Sequence, residues 1–152
     1  MPRGTKDVDG NVVVEPDALD GVIDALTALG IGIDRPAALA RAARDGMFVG
    51  SWDGMRIDVF VPSIPFSHEA GRTRVAVTVD GWTGTFLAPE AIAIFKLLFF
   101  RGKDVGDLAQ LDAVRREALD HAYIRRWIVD MMGDDDPRVR TWDDLVARYA
   151  RG

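Results

Sequence analysis

The sequence predicts a mixed α/β domain of the α+β class, with hairpin-forming strands in its first half and helices through its last third. Three observations predict it. Asp53-Gly54 and Asp80-Gly81 each join two short runs rich in β-branched and aromatic residues, and Asp-Gly suits a tight turn whose two central residues both need positive φ. Leu19, Val22, Ile23, Leu26 and Leu29 recur at the spacing of one helix face. Beyond Pro89 helical spacing returns again and again, interrupted only by short polar segments.

Composition bounds what such a fold could do. The 152 residues fit one domain, and 48% apolar with 28% charged residues describe a chain able to build a core. A single domain over 1–152 is expected, with a sheet-containing core over 3–88 and a helical part over 89–152. The net charge of −5 disfavours general binding to DNA, whose phosphates would meet a repulsive field. With no cysteine, disulfides, thiolate-bound zinc, iron–sulfur clusters and thiol chemistry are excluded, so any metal needs oxygen ligands or the two histidines. No run approaches the roughly 18 apolar residues of a membrane span, and no apolar signal core follows the first basic residues. A cytoplasmic protein without a membrane partner is expected.

The elements follow in order. Asp7 to Asn11 leads into the β-branched run Val12-Val13-Val14, and Pro16 with Asp17 opens the first helix, which Gly30 stops. A second, alanine-rich helix is expected over Pro36 to Arg44, ended by Asp45-Gly46. Met47 to Trp52 and Met55 to Val61 form a hairpin across Asp53-Gly54, whose alternation puts Met55, Ile57, Val59 and Val61 on one face and Arg56, Asp58 and Phe60 on the other. Pro62 to Gly71 is a loop or a short helix. Val75 to Val79 and Thr83 to Leu87 pair across Asp80-Gly81. Helices are then expected over Glu90 to Phe100, Asp104 to Val114, Asp120 to Met132 and Trp142 to Ala150, the last after the acidic break Asp134-Asp135-Asp136-Pro137.

The chemistry-bearing residues are mostly carboxylates. Asp7 and Asp9 lie two apart, so on an extended segment both point to one face and together invite a hard cation. Alone, such a D-x-D pair equally describes acids decorating a turn beside glycine. A calcium loop is excluded, because Val12 and Ala18 stand where that loop needs glycine and glutamate. Asp58 is the third acid of note, a charge in mid-strand between Ile57 and Val59, where a solvated or a functional face must account for it.

Lys96 is the one charged residue between Ala91 and Phe100 and must either reach solvent along its stem or face an anion. Asp104 reads as a helix N-cap ahead of a catalytic acid, and Asp107 as a first-turn acid or an ion-pair partner of Lys96 or Arg101. His68 and His121 show no metal-ligand spacing, and no G-x-S-x-G elbow or phosphate-binding G-x-x-x-x-G-K-[ST] loop occurs. Arginines at 115, 116, 125, 126, 138, 140, 148 and 151 make the C-terminal third basic, either as solvated helix faces or as a patch for tRNA or an acidic partner.

Taken together, Arg3-Gly4-Thr5-Lys6-Asp7-Val8-Asp9, the hairpin bearing Ile57-Asp58-Val59-Phe60, and the stretch from Lys96 to Leu108 resemble the polymerase-beta-like nucleotidyltransferase superfamily. The likeness is to its minimal prokaryotic members and to toxins of abortive-infection type. It covers about residues 3 to 111 and rests on order and spacing: R-x-T-x-D-[VI]-D at the start, and R-x-K-D-x-x-D-[LI] at Arg101 to Leu108. The resemblance implies a nucleotidyltransferase-like mixed sheet flanked by helices. It further implies that Asp7, Asp9 and Asp58 together hold one or two magnesium ions, with Asp7 and Asp9 at the position both ions share and Asp58 completing the site on the acceptor side, where it helps activate the hydroxyl. Thr5, Lys6, Lys96, Arg101 and Asp107 would contact the nucleotide.

The implied activity is magnesium-dependent transfer of a nucleoside monophosphate from a nucleoside triphosphate to a hydroxyl of a protein, tRNA or small molecule. Members of the superfamily bind the triphosphate with a Gly-Gly or Gly-Ser turn ten or more residues before the D-x-D, whereas six residues precede Asp7 here. The alternative is therefore a non-catalytic module of the same fold, one part of a toxin–antitoxin pair or an oligomer subunit. Without the strand and helix that carry that turn, an apolar surface or strand edge is expected to stay exposed, and a homodimer to form.

Overall fold

Both Asp-Gly turns fold as their chemistry requires: φ is 47° and 75° at Asp53 and Gly54, and 49° and 81° at Asp80 and Gly81. The computed structural model describes residues 7–115 and 118–149. Its architecture is mixed α+β, as expected, with two small sheets and, among the described residues, seven α-helices. The chain divides into two compact units, Met1–Arg72 and Thr73–Gly152.

In the first unit, β1 (Asp7–Asn11), β2 (Met47–Trp52) and β3 (Met55–Phe60) form one sheet in the order β1-β3-β2. β2 and β3 are the antiparallel hairpin, and β1 runs parallel to β3. Contrary to the expectation of an extended run through Val14, the strand ends at Asn11. Val12 N still donates to Phe60 O at 2.9 Å, and the chain then turns toward Pro16, which has no N–H to give a ladder. Pro16–Ala18 is a single 3-10 turn, so α1 spans Leu19–Ala28 and starts two residues later than Asp17. Leu29 falls beyond the helix end and is exposed, which removes it from the expected apolar face.

Arg35–Asp45 forms α2, capped by the Asp34 carboxylate, which accepts from Ala37 N at 3.1 Å, and closed by Gly46 in the left-handed region. Arg35 ties the helices together through Asp20 and Asp24 on α1. Leu19, Ile23, Ala38 and Ala42 pack with Phe48 and Val59 of the sheet, and Val22, Leu26, Ile57 and Val61 surround them. Burying these side chains, at about 1.5–3 kcal/mol for each large one, holds the unit together. Gly50 belongs to the same face: a Cβ there would come within 2.6 Å of Ile31, so the bare backbone lets the Ile31–Ile33 segment lie close over β2. The 62–71 stretch resolves into a short helix, α3 (Phe66–Arg72).

The second unit starts with a two-stranded sheet, β4 (Val75–Val79) and β5 (Trp82–Phe86). This hairpin therefore groups with the helices, whereas sequence alone assigned it to the sheet-containing core. α4 (Pro89–Phe99) is the buried helix anticipated from its apolar run, with Ala91, Ala93, Ile94 and Leu97 fully enclosed. It packs against α5 (Gly102–Arg115), α6 (His121–Met132) and α7 (Pro137–Tyr149), which contribute Leu108, Ile124, Ile128, Val139 and Trp142 to the core. Asp120 caps α6 by accepting from Tyr123 N at 2.9 Å. α7 begins five residues before Trp142, because Pro137 supplies the fixed φ of a first helical position and the Asp136 carboxylate accepts from Arg138 N at 2.9 Å. No helix among the described residues is long and apolar enough to cross a membrane.

Candidate functional site

The parallel pairing of β1 with β3 decides where the carboxylates go. Asp9 is in register with Asp58, and Asp7 with Arg56. Registered neighbours in a sheet share a face, and residues two apart on a strand share it too. Asp7, Asp9, Asp58 and Arg56 therefore occupy one face of the sheet, while Val8, Ile57, Val59 and Phe48 take the other, where α1 and α2 build the core. Adjacent strands lie about 4.8 Å apart and two residues along a strand span about 6.6 Å, so the three acids occupy one small patch.

The hairpin explains why a charge survives in the middle of β3. The opposite face of Asp58 is already committed to the core through Ile57 and Val59, and the pleat leaves Asp58 on the side away from α1 and α2. Its side chain is 15% exposed and accepts from Arg56 Nε at 2.7 Å. Asp7 and Asp9 are exposed. Three carboxylates are suitable oxygen donors for a hard divalent cation. As the side chains stand, no three Asp, Glu or His among the described residues enclose such a position, and Asp58 is engaged by the guanidinium beside it. Thr5 and Lys6, the remaining residues expected near the acids, lie outside the described residues.

Lys96, Arg101 and Asp107 are brought together in the second unit, around a residue read from sequence as a cap ahead of a catalytic acid. Asp104 is completely buried, accepts from Arg101 N at 3.0 Å and Arg101 Nε at 2.7 Å, and lies 3.7 Å from Lys96 Nζ. Because α5 starts at Gly102, Asp104 is not the N-cap. It is the third helical residue, reaching back to the backbone N–H of Arg101 in the manner of a capping box. The Arg101 side-chain hydrogen bond, reinforced by the backbone bond and by charge attraction to Arg101 and Lys96, holds the Asp104 carboxyl below its ordinary range despite burial. Lys96 Nζ donates to Asp107 at 2.6 Å. The anions that Lys96 faces are thus two carboxylates of the chain itself.

Sequence reasoning missed two features. Arg56 was placed on the face of Asp58 but not joined to it, although an Arg and an Asp two apart on one strand are within reach of each other. Asp112, also buried, accepts or shares a proton with His121 Nε2 at 2.7 Å, and His121 O accepts from Trp142 Nε1 at 3.3 Å. His121 is accordingly a partnered, partly buried histidine, and His68 is exposed. Of the C-terminal arginines, Arg125 pairs with Asp134 and Asp143, Arg138 with Asp136, and Arg140 donates to Asp135 O. Much of the basic character is neutralised locally, while Arg116 and Arg151 lie outside the described residues. Among known proteins, the chain matches no family model and no curated sequence.

Proposed function

We propose that this chain carries the carboxylate centre of a nucleotidyltransferase, moving a nucleoside monophosphate from a nucleoside triphosphate to a hydroxyl of a protein, a tRNA or a small molecule. The observation that carries the reading is the register of Asp9 with Asp58 on parallel neighbouring strands, with Asp7 two residues away on the same face. The resemblance of Arg3 to Asp9 and of Arg101 to Leu108 to the polymerase-beta-like superfamily supports it from the sequence side. The protein works in the cytoplasm, as the sequence suggests, with an antitoxin as a candidate protein partner.

Bound among these acids, magnesium would neutralise charge on the attacking and leaving oxygens, the main requirement of phosphoryl-type transfer. Asp7 and Asp9 would supply its oxygen ligands from one strand. Asp58, on the next strand, would complete that ligand set and help activate the acceptor hydroxyl by taking its proton. The acceptor oxygen bonds to the α-phosphorus as the bond from that phosphorus to the departing pyrophosphate breaks. For Asp58 to do this it must leave Arg56, whose side chain is half exposed and free to swing into solvent.

The Arg56–Asp58 ion pair also favours a second reading, a non-catalytic module in which an internal cation keeps Asp58 engaged. Calorimetry with magnesium and each nucleoside triphosphate separates the two. The enzyme reading expects metal-dependent binding of at least one triphosphate, abolished by Asp7→Ala or Asp9→Ala. No binding at millimolar ligand would remove the enzyme reading and leave the module.

A further inference from the structure

The β4–β5 hairpin presents one apolar face. In its register Val75 stands opposite Phe86, Val77 opposite Gly84 and Val79 opposite Trp82, so all six residues share a side. The other side carries Ala76, Thr78, Thr83 and Thr85, with the Thr78 and Thr83 hydroxyls hydrogen-bonded at 2.8 Å. Both sides of the hairpin are exposed, but the apolar one carries the large side chains: Trp82 is 83% exposed, Val79 62% and Phe86 55%, with Val75 and Val77 at 38% and 42% beside a cavity they share with Pro89, Glu90, Arg115 and Leu119. No other described strand pairs with the hairpin. Two strands alone are marginal in water, and a contiguous apolar patch of this kind marks a surface that something covers.

We infer that the apolar face of this hairpin is where a second copy of the chain docks. Area is the first argument. The five exposed side chains offer roughly 500 Å², so two copies face to face would remove about 1,000 Å² from water, the lower limit for a specific interface. Charge is the second. Neither β4 nor β5 contains an ionisable residue, so two copies of the patch meet without charge repulsion across it, although each chain carries a net charge of −5. A two-fold contact sets a patch against itself and therefore suits an uncharged one. Two twisted hairpins stacked through these faces, about 10 Å apart, form a four-stranded sandwich with the threonines outward. This inference does not depend on the nucleotidyl-transfer reading, and either can fail without the other.

Light scattering on the full chain over a concentration series tests it, with circular dichroism to follow folding. A dimer that dissociates on dilution is expected, with Trp82→Lys and Val77→Lys each raising its dissociation constant at least tenfold and Thr78→Lys, on the opposite face, leaving it unchanged. Trp82 is so exposed that its replacement removes no core contact, so that variant reports even if Val77→Lys does not fold. A monomer at the highest concentrations would overturn the inference, as it would mean that the face stays open or is covered by the chain itself or by a different partner. So would a dimer unaffected by Trp82→Lys.

Discussion

At the scale of single residues, Arg56 controls what the acids of β1 and β3 can do. It lies on their face and holds Asp58 by one short hydrogen bond. An exposed pair of this kind contributes about 0–1 kcal/mol to stability. Replacing Arg56 with Gln is expected to leave thermal stability nearly unchanged while tightening magnesium binding about fivefold, equivalent to ~1 kcal/mol of relieved competition at a surface site. Thermal melts and calorimetry on the same variant check both halves. Equal magnesium affinity in wild type and variant would show that Arg56 does not compete for Asp58.

At the scale of elements, the start of α5 shows how one buried carboxylate can serve several neighbours. Asp104 satisfies the backbone N–H of Arg101, binds the Arg101 side chain and offsets part of the Lys96 charge. Its folded pKa lies below 3.8, the ordinary value. The unfolded chain therefore takes up this proton first, so the stabilisation is complete above that ordinary value and is lost as pH falls through the folded one. Asp104→Asn is expected to cost about 1–3 kcal/mol near neutrality. The gap between wild type and variant should narrow as pH drops below about 4, because protonation removes the same charge from the wild type. Urea unfolding at several pH values measures it, and a gap independent of pH would contradict the role given to the charge.

Across the whole molecule, what was legible in the sequence was local. The Asp-Gly turns require two positive-φ residues, which few residue pairs accept, so both hairpins followed from four residues, although the last strand runs over Trp82–Phe86 and not Thr83 to Leu87. Helix periodicity located α1, α2 and α4 to α6 within a few residues. α7 was placed late because its first turn lacks the apolar spacing and is announced only by Asp136 and Pro137. The grouping of β4 and β5 with the helices was not legible, since the same alternation would serve a strand of the first sheet. Nor was the parallel pairing of β1 with β3, a long-range contact that local pattern does not encode.

The candidate site follows the same division. Two of its acids, Asp7 and Asp9, were visible as a pair and Asp58 as an anomaly, but only the register of β1 against β3 puts Asp9 beside Asp58.

That register is also where the central claim is most exposed to test. Manganese prefers the same carboxylate ligands as magnesium and broadens nearby nuclear resonances. Added in substoichiometric amounts, it is expected to broaden the amide signals of Asp7 to Gly10 together with those of Ile57 to Val59, and Asp58→Asn should weaken both sets at once. Broadening spread over the acidic surface, or confined to one strand and indifferent to Asp58→Asn, would contradict a shared carboxylate centre.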